Sequence, residues 1–197
     1  MDEWTTESSR YIVNDRWLKV RADRMRTPDG HILDPYYVLE YGDWVNCLVI
    51  DEEFKVILLQ QYRPGAKQII TEIMSGGIEP TDTSPLAAVR RELSEEIGYE
   101  DGTIHQTGVC FANPANQPNR VYTFIALGGR ATDQHKREPG ETTNVIKQPL
   151  PHFVHQLTDP TTPPMQALHL SGIWFGLSFL RNSTDPQFAA YRQVLQQ

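Results

Sequence analysis

The stretch that decides the reading is Gly77–Tyr99, GIEPTDTSPLAAVRRELSEEIGY. Its second half predicts a helix over 85–97. Ser84 is a good N-cap, Pro85 suits the first helical position, and Gly98 is a good stop. Leu86, Val89, Leu93 and Ile97 fall on one apolar stripe at helical spacing, and that stripe faces a core. Glu92, Glu95 and Glu96 follow at i, i+3 and i+4 on a different face. Like charges so placed cost about a few tenths of a kcal/mol per pair. They also sit toward the helix C-terminus, where a helix prefers cations. Two readings are open. Charge runs are usually a solvated face. Alternatively, three carboxylates on one rigid face, with the glycine loop MSGG just before them, suit a divalent cation such as Mg²⁺, which takes oxygen ligands and commonly bridges to phosphates.

Upstream, the chain reads as strands. In WLKVRADRMR, Leu18, Val20 and Ala22 alternate with Lys19, Arg21 and Asp23, the period of a half-buried strand. TPDG is a turn, and YYVLEY returns as a second strand, so a hairpin is expected. WVNCLVI and KVILLQQYR are rich in Val, Ile and Leu and read as two further strands; QIITEI continues as strand, and MSGGIEPTDTSP reads as a loop. Downstream, TIHQTGVCFA and VYTFIALG read as strands. Residues 128–144 lack a regular period, and a loop of that length is usually functional or disordered. Helices are predicted over 164–181 and 186–196, broken at NSTDP.

The chain has 197 residues and a net charge of −7, with no long basic stripe. One domain with a small appendage is expected, and sequence-independent binding to duplex nucleic acid is not. An anionic substrate would need a local device to hold it, a metal ion or a few placed arginines. Cys47 and Cys110 lie in no zinc or disulfide spacing, and Cys47 sits in an apolar run. The N-terminus lacks the pattern of a signal peptide, and LHLSGIWFGLSFL is short of the about 20 residues a membrane span needs. The expectation is a cytoplasmic protein.

Gly77–Tyr99 resembles the Nudix box, G-x5-E-x7-R-E-U-x-E-E-x-G-U with U apolar. Gly77, Arg91, Glu92, Leu93, Glu95, Glu96 and Gly98 match in register, with Tyr99 in the last apolar position. One position departs: Thr83 stands where the box has its first glutamate, with Asp82 beside it. In the family that glutamate helps organise the box, often with the arginine matching Arg91. Asp82 could replace it by a small loop shift, and Thr83 could share the helix cap with Ser84. The flanking YGDWVNCLVI, VILLQQYRPG, EIMSGG, NPANQPNRVYTFIA and EPGE segments resemble the ADP-ribose pyrophosphatase and nucleoside diphosphate sugar hydrolase branch, over roughly residues 10–181.

The resemblance implies an α/β fold, a Nudix α/β/α sandwich over 44–197 with C-terminal helices. It also implies a small N-terminal β-strand region over 1–43 that exchanges across a homodimer. The implied activity is Mg²⁺-dependent hydrolysis of the pyrophosphate of a nucleotide sugar such as ADP-ribose or GDP-mannose, with Mn²⁺ as a possible substitute. The implied metal ligands are Glu92 and Glu96, with Glu95 close behind, and the Gly76 carbonyl. Glu95 also counts among the candidate catalytic residues. The general base would be a glutamate of the 128–144 loop, Glu141 with Glu138 as runner-up; the bland alternative for each is a solvated carboxylate, and His135 there reads as a surface histidine. Arg63 is either a phosphate clamp or a strand-end salt bridge. Glu72 is a candidate substrate contact or support. One of Tyr36, Tyr37 and Trp44 is a candidate to stack a base, with core packing the alternative, and Asn119 and Arg120 are further candidates. Two competing functions stand beside the hydrolase: a Nudix-fold module that binds a nucleotide without cleaving it, supported by Thr83 alone, and a hydrolase of another pyrophosphate such as a dinucleoside polyphosphate.

Overall fold

The structure is a computed structural model that describes residues 2–132 and 143–196. It contains two compact units, Met1–Asp43 with Phe111–Arg120, and Trp44–Cys110 with Val121–Gln197.

The first unit is built on a three-stranded sheet in the order β1-β2-β3: β1 (Thr5–Asn14), β2 (Lys19–Arg26) and β3 (Ile32–Glu40). The β2–β3 hairpin closes through the expected TPDG turn, where Gly30 takes φ +88°, a conformation that suits glycine. Asp23 departs from simple alternation. It is buried on β2, and its carboxylate accepts a 2.8 Å bond from Arg21 Nε, which compensates the buried charge. Within the same unit Tyr36 donates to the Ala115 carbonyl and meets Trp4 edge to face, so its ring is used in packing.

The second unit holds a seven-stranded sheet. Its main path is β10 (Thr143–Pro149), β5 (Lys55–Arg63), β4 (Trp44–Ile50), β9 (Arg120–Leu127) and β8 (Thr103–Phe111); β6 (Gln68–Glu72) pairs with β5, and β7 (Met74–Gly77) with β4. β4 runs parallel to β9 and is buried along nearly its whole length. That explains its continuous apolar run, because both faces of this sheet are covered. Val45, Cys47 and Val49 pack with Ala88, Val89, Leu93 and Ile97 of helix α1 (Pro85–Ile97). Leu48 and Ile50 pack on the other side with α2 (Leu150–Gln156) and α3 (Ala167–Asn182), through Leu150, Phe153, Ile173, Leu177 and Leu180. The result is the expected α/β/α arrangement. A 3-10 turn (Pro186–Phe188) and α4 (Ala189–Val194) close the chain.

Three details differ from the sequence reading. MSGG is not loop: it forms β7, and pairing with β4 opposes Val45 to Gly76 and Trp44 to Gly77. Glycine punctuates here because a side chain must approach closely, as shown below. Leu86 is exposed, and Ala88 takes its place in the buried stripe of α1. β10 and α2 carried no clear period, because β10 alternates weakly and α2 is only two turns long.

Candidate active site

Helix α1 carries the site, and its ends are fixed as its sequence requires. Ser84 Oγ accepts from Ala87 N at 3.1 Å, and Gly98 takes φ 56° while its N–H bonds the Ser94 carbonyl at 3.1 Å. Ser84 is the cap alone; Thr83 is exposed.

The missing box glutamate is replaced by its neighbour. Arg91 Nη2 donates to Asp82 Oδ2 at 3.0 Å and to the Gly77 carbonyl at 2.9 Å, and Nε reaches Asp82 Oδ1 at 3.3 Å. Asp82 Oδ2 also accepts the Glu79 backbone N–H at 2.8 Å, which ties the loop before α1 to itself. The Arg91 guanidinium beside Asp82 holds that carboxyl below the usual carboxylate range, and the same pairing raises Arg91. Arg91 Nη1 bonds Glu92 Oε1 at 2.9 Å and Glu95 Oε2 at 3.0 Å. One guanidinium thus links the loop, the glycine strand and two of the three box glutamates.

Gly76 is where the strand and the helix meet. A Cβ there would overlap the Glu92 carboxylate, so only glycine lets that side chain lie against β7. Among the described residues no three His, Cys, Asp or Glu side chains converge on one point, since Arg91 draws Glu92 and Glu95 toward itself. The donor set nevertheless fits a divalent cation in chemistry: an all-oxygen set of Glu92, Glu95 and Glu96 on one helical face, with a glycine cradle against Glu92.

A cavity of about 230 Å³ opens at β7, lined by Trp44, Arg63, Ser75, Gly76, Gly77, Gln166 and Leu168. A second, of about 450 Å³, shares Arg63 and Gln166 and extends to Glu72, Ile70 and Met165. Glu72 on β6 is 1% exposed and accepts from Arg63 Nη2 at 2.7 Å, from Arg63 Nε at 3.0 Å and from Gln61 Nε2 at 3.0 Å. The geometry follows from the pleat: Gln61 and Arg63 share a face of β5 with Leu59, which Glu72 opposes. Arg63 therefore makes the strand-end salt bridge and also lines both cavities. Gln166, the residue capping α3, and His169 on the buried face of α3 were not singled out by the sequence reading. The signal for His169 was available, because it continues the buried series Gly172, Ile173, Gly176, Leu177 and Leu180 at helical spacing.

Trp44, Arg63 and Gly76 are thus brought together, with Glu92 against Gly76 and Glu72 beneath Arg63. Tyr37, half exposed on β3, and Arg120, exposed, belong to the first unit, as does Asn119, which is buried. Glu138, Glu141 and His135 lie outside the described residues. Cys47 is buried as expected, and burial pushes its thiol up. Among the described residues no helix is long and apolar enough to cross a membrane.

The chain matches the family model of the NUDIX domain over residues 40–164, and that of the nucleoside diphosphate sugar hydrolase N-terminal domain over residues 4–39. It is 32% identical over 126 residues to a methanol dehydrogenase activator of Bacillus methanolicus, covering 64% of this chain and 67% of that protein. It is 23% identical over 124 residues to an ADP-ribose pyrophosphatase of Bacillus subtilis, with 63% and 66% covered. The corresponding enzyme of Mycobacterium tuberculosis is 24% identical over 128 residues, with 65% and 61% covered. These alignments span roughly two thirds of each relative. A crystal structure of an ADP compounds hydrolase shares the fold at a TM-score of 0.77, with 19% identity over 92% of this chain and 96% of that one. With the box on α1 and the N-terminal sheet both in place, the chain belongs to the Nudix family, as a pyrophosphohydrolase of its ADP-ribose pyrophosphatase and nucleoside diphosphate sugar hydrolase branch.

Proposed function

We propose that the protein hydrolyses the pyrophosphate bond of a nucleoside diphosphate sugar, with ADP-ribose or GDP-mannose as model substrates, giving a nucleoside monophosphate and a sugar phosphate, and that it does so with Mg²⁺. The observation that carries the reading is Arg91 bonded to Asp82: the one departure from the box is filled by the adjacent carboxylate. Thr83 was the sole support for a binding module without turnover, and Asp82 removes its force. The ADP-ribose pyrophosphatases among the relatives favour a nucleotide-sugar substrate.

Glu92, Glu96 and Glu95, with the Gly76 carbonyl, would hold Mg²⁺, which supplies charge neutralisation on the pyrophosphate and activation of water when bound; Mn²⁺ would substitute. Arg63 would clamp a phosphate oxygen from the cavity rim, as guanidinium does bidentately. Glu72 fixes Arg63 from beneath. Trp44 offers a ring at the cavity wall. A glutamate of the 128–144 loop, Glu141 before Glu138, would accept the proton of the attacking water. Tyr37 and Arg120 stay candidates for substrate binding on the strength of the family resemblance alone. We read the N-terminal strands, residues 1–43, as the part exchanged in a homodimer. β1 is exposed along all ten residues, including Tyr11, Ile12 and Val13, and suits such a partner surface. Two free thiols suit a reducing, cytoplasmic setting.

The test is release of monophosphate from ADP-ribose and GDP-mannose with and without Mg²⁺, comparing wild type with Glu96→Gln. Release that needs Mg²⁺ and collapses in the variant is expected. No release from either substrate would refute the reading.

A further inference from the structure

Beneath Arg63 lies a buried arrangement that the metal face does not use. His169 of α3 is fully buried, and neither ring nitrogen has a hydrogen-bond partner among the described residues. Its Nε2 stands 3.7 Å from Glu72 Oε1, just beyond hydrogen-bond range. Glu72 is itself 1% exposed, and Arg63 is its one bonded cation among the described residues. The first turn of α3 is held in place independently. Asn46 Nδ2 donates to the Leu168 carbonyl at 2.8 Å, and Gly172 packs directly on the Asn46 carboxamide. His169 is therefore fixed against Glu72 by the sheet, without a bond of its own. Burial keeps the imidazole neutral, outweighing the pull of Glu72, and Arg63 adds to the effect.

We propose that His169 is a positioning residue for Arg63 and acts through Glu72. Its neutral ring covers the protein side of the carboxylate, excludes water there, and leaves Arg63 as the cation that Glu72 holds at the cavity rim. The physics is a matter of dielectric. The attraction of a carboxylate for a guanidinium weakens severalfold when water replaces protein around it. The Arg63 side chain is 41% exposed and that of Glu72 only 1%, so the contact is kept dry from the Glu72 side. A neutral ring at 169 also avoids a second cation, which would divide Glu72 between two partners. The consequence for catalysis rests on the reading of Arg63 as the phosphate clamp given above.

The experiment uses the full-length protein. The first readout needs no substrate: the exchange rate of the Arg63 Nε–H, which donates to Glu72 at 3.0 Å, followed by ¹⁵N NMR. In His169→Ala it should rise about fivefold or more, the size of one weakened hydrogen bond. In His169→Gln, which refills the space with a neutral group, it should stay within about twofold of wild type. If the alanine variant does not fold, His169→Asn, which loses less volume, takes its place. The second readout is kinetic, with ADP-ribose and Mg²⁺. KM should rise about fivefold in His169→Ala while kcat stays within about threefold, and the double variant with Arg63→Ala should match Arg63→Ala alone, because the two residues act through one contact. Unchanged Nε–H exchange, or effects on KM that multiply in the double variant, would overturn the proposal. If wild type releases no monophosphate, the hydrolase reading fails by itself, and the exchange rate still decides the role of His169.

Discussion

Removing the carboxylate of Asp82 tests whether this residue, and not Thr83, completes the box. Asp82 is 6% exposed and Arg91 is 23% exposed, so their pair lies largely out of solvent screening. Asp82→Ala deletes the 3.0 Å charge-assisted bond, the longer 3.3 Å contact, and the acceptor of the Glu79 N–H at 2.8 Å. A charge-assisted bond contributes about 1.5–3 kcal/mol and a backbone bond about 1. Arg91 keeps Glu92, Glu95 and the Gly77 carbonyl, so it is not left as an orphaned charge, the case that costs about 3–5 kcal/mol. A net loss of about 3 kcal/mol follows. Asp82→Asn keeps the acceptor for Glu79 N and should cost about 1 kcal/mol. Thr83→Ala, at an exposed position, should stay within about 0.5 kcal/mol. Because the Asp82 carboxyl is depressed, its contribution is present above the unfolded value of 3.8 and is lost only as pH falls below it. The three variants should therefore keep their order at any pH from 5 to 8. Urea denaturation at pH 7.5 reads the stabilities. Without Asp82, Arg91 rests more on Glu92 and Glu95, so the Mg²⁺ concentration needed for half-maximal turnover should also rise. A cost below about 0.5 kcal/mol for Asp82→Ala, or a Thr83→Ala loss equal to it, would refute the reasoning.

Gly76→Ala places a Cβ on the Glu92 carboxylate, the end of a flexible side chain that can swing aside. Stability should change by less than about 1 kcal/mol, while turnover with Mg²⁺ falls at least about tenfold, as checked by calorimetry beside a monophosphate assay. Gly172→Ala differs, because its Cβ would stand 2.7 Å from Cγ of Asn46, which is fully buried and has nowhere to move. It should lower unfolding free energy by about 2 kcal/mol in urea. His169 sets a pH dependence. Its value is lowered from 6.5 to about 4, so between those limits only the unfolded chain takes up the proton. Its contribution is complete above 6.5 and declines as pH falls toward 4. Between pH 7.5 and pH 5 the loss should be about 2 kcal/mol by linkage, and His169→Gln should remove it from the urea profile.

What was legible in the sequence was whatever one element carries by itself. The α1 cap, its stop, and the three glutamates on one face need only helical geometry, and the buried run of β4 needs only a sheet covered on both sides. MSGG was misread as loop because glycine signals a turn and a close approach in the same letters. The close approach is to Glu92, which stands fifteen residues beyond the end of β7, and no local pattern announces it. Arg63 offered two readings, clamp or salt bridge, and the structure shows that the alternatives are not exclusive. A guanidinium has enough donors to bond Glu72 with Nε and Nη2 and still face a cavity with its remaining N–H groups. In the sequence His169 is one more buried position of α3, at helical spacing with Gly172, Ile173 and Gly176. Its meaning comes from Glu72 on β6, a strand that meets α3 only in three dimensions. Buried charge is the general reason for the blind spot. A carboxylate is buried to 1% exposure only at a cost unless partners are assembled around it, and here β5 supplies Gln61 and Arg63 while α3 supplies the wall at His169. Each partner is unremarkable in its own segment, so the site is encoded in the pairing of segments that no single periodicity records.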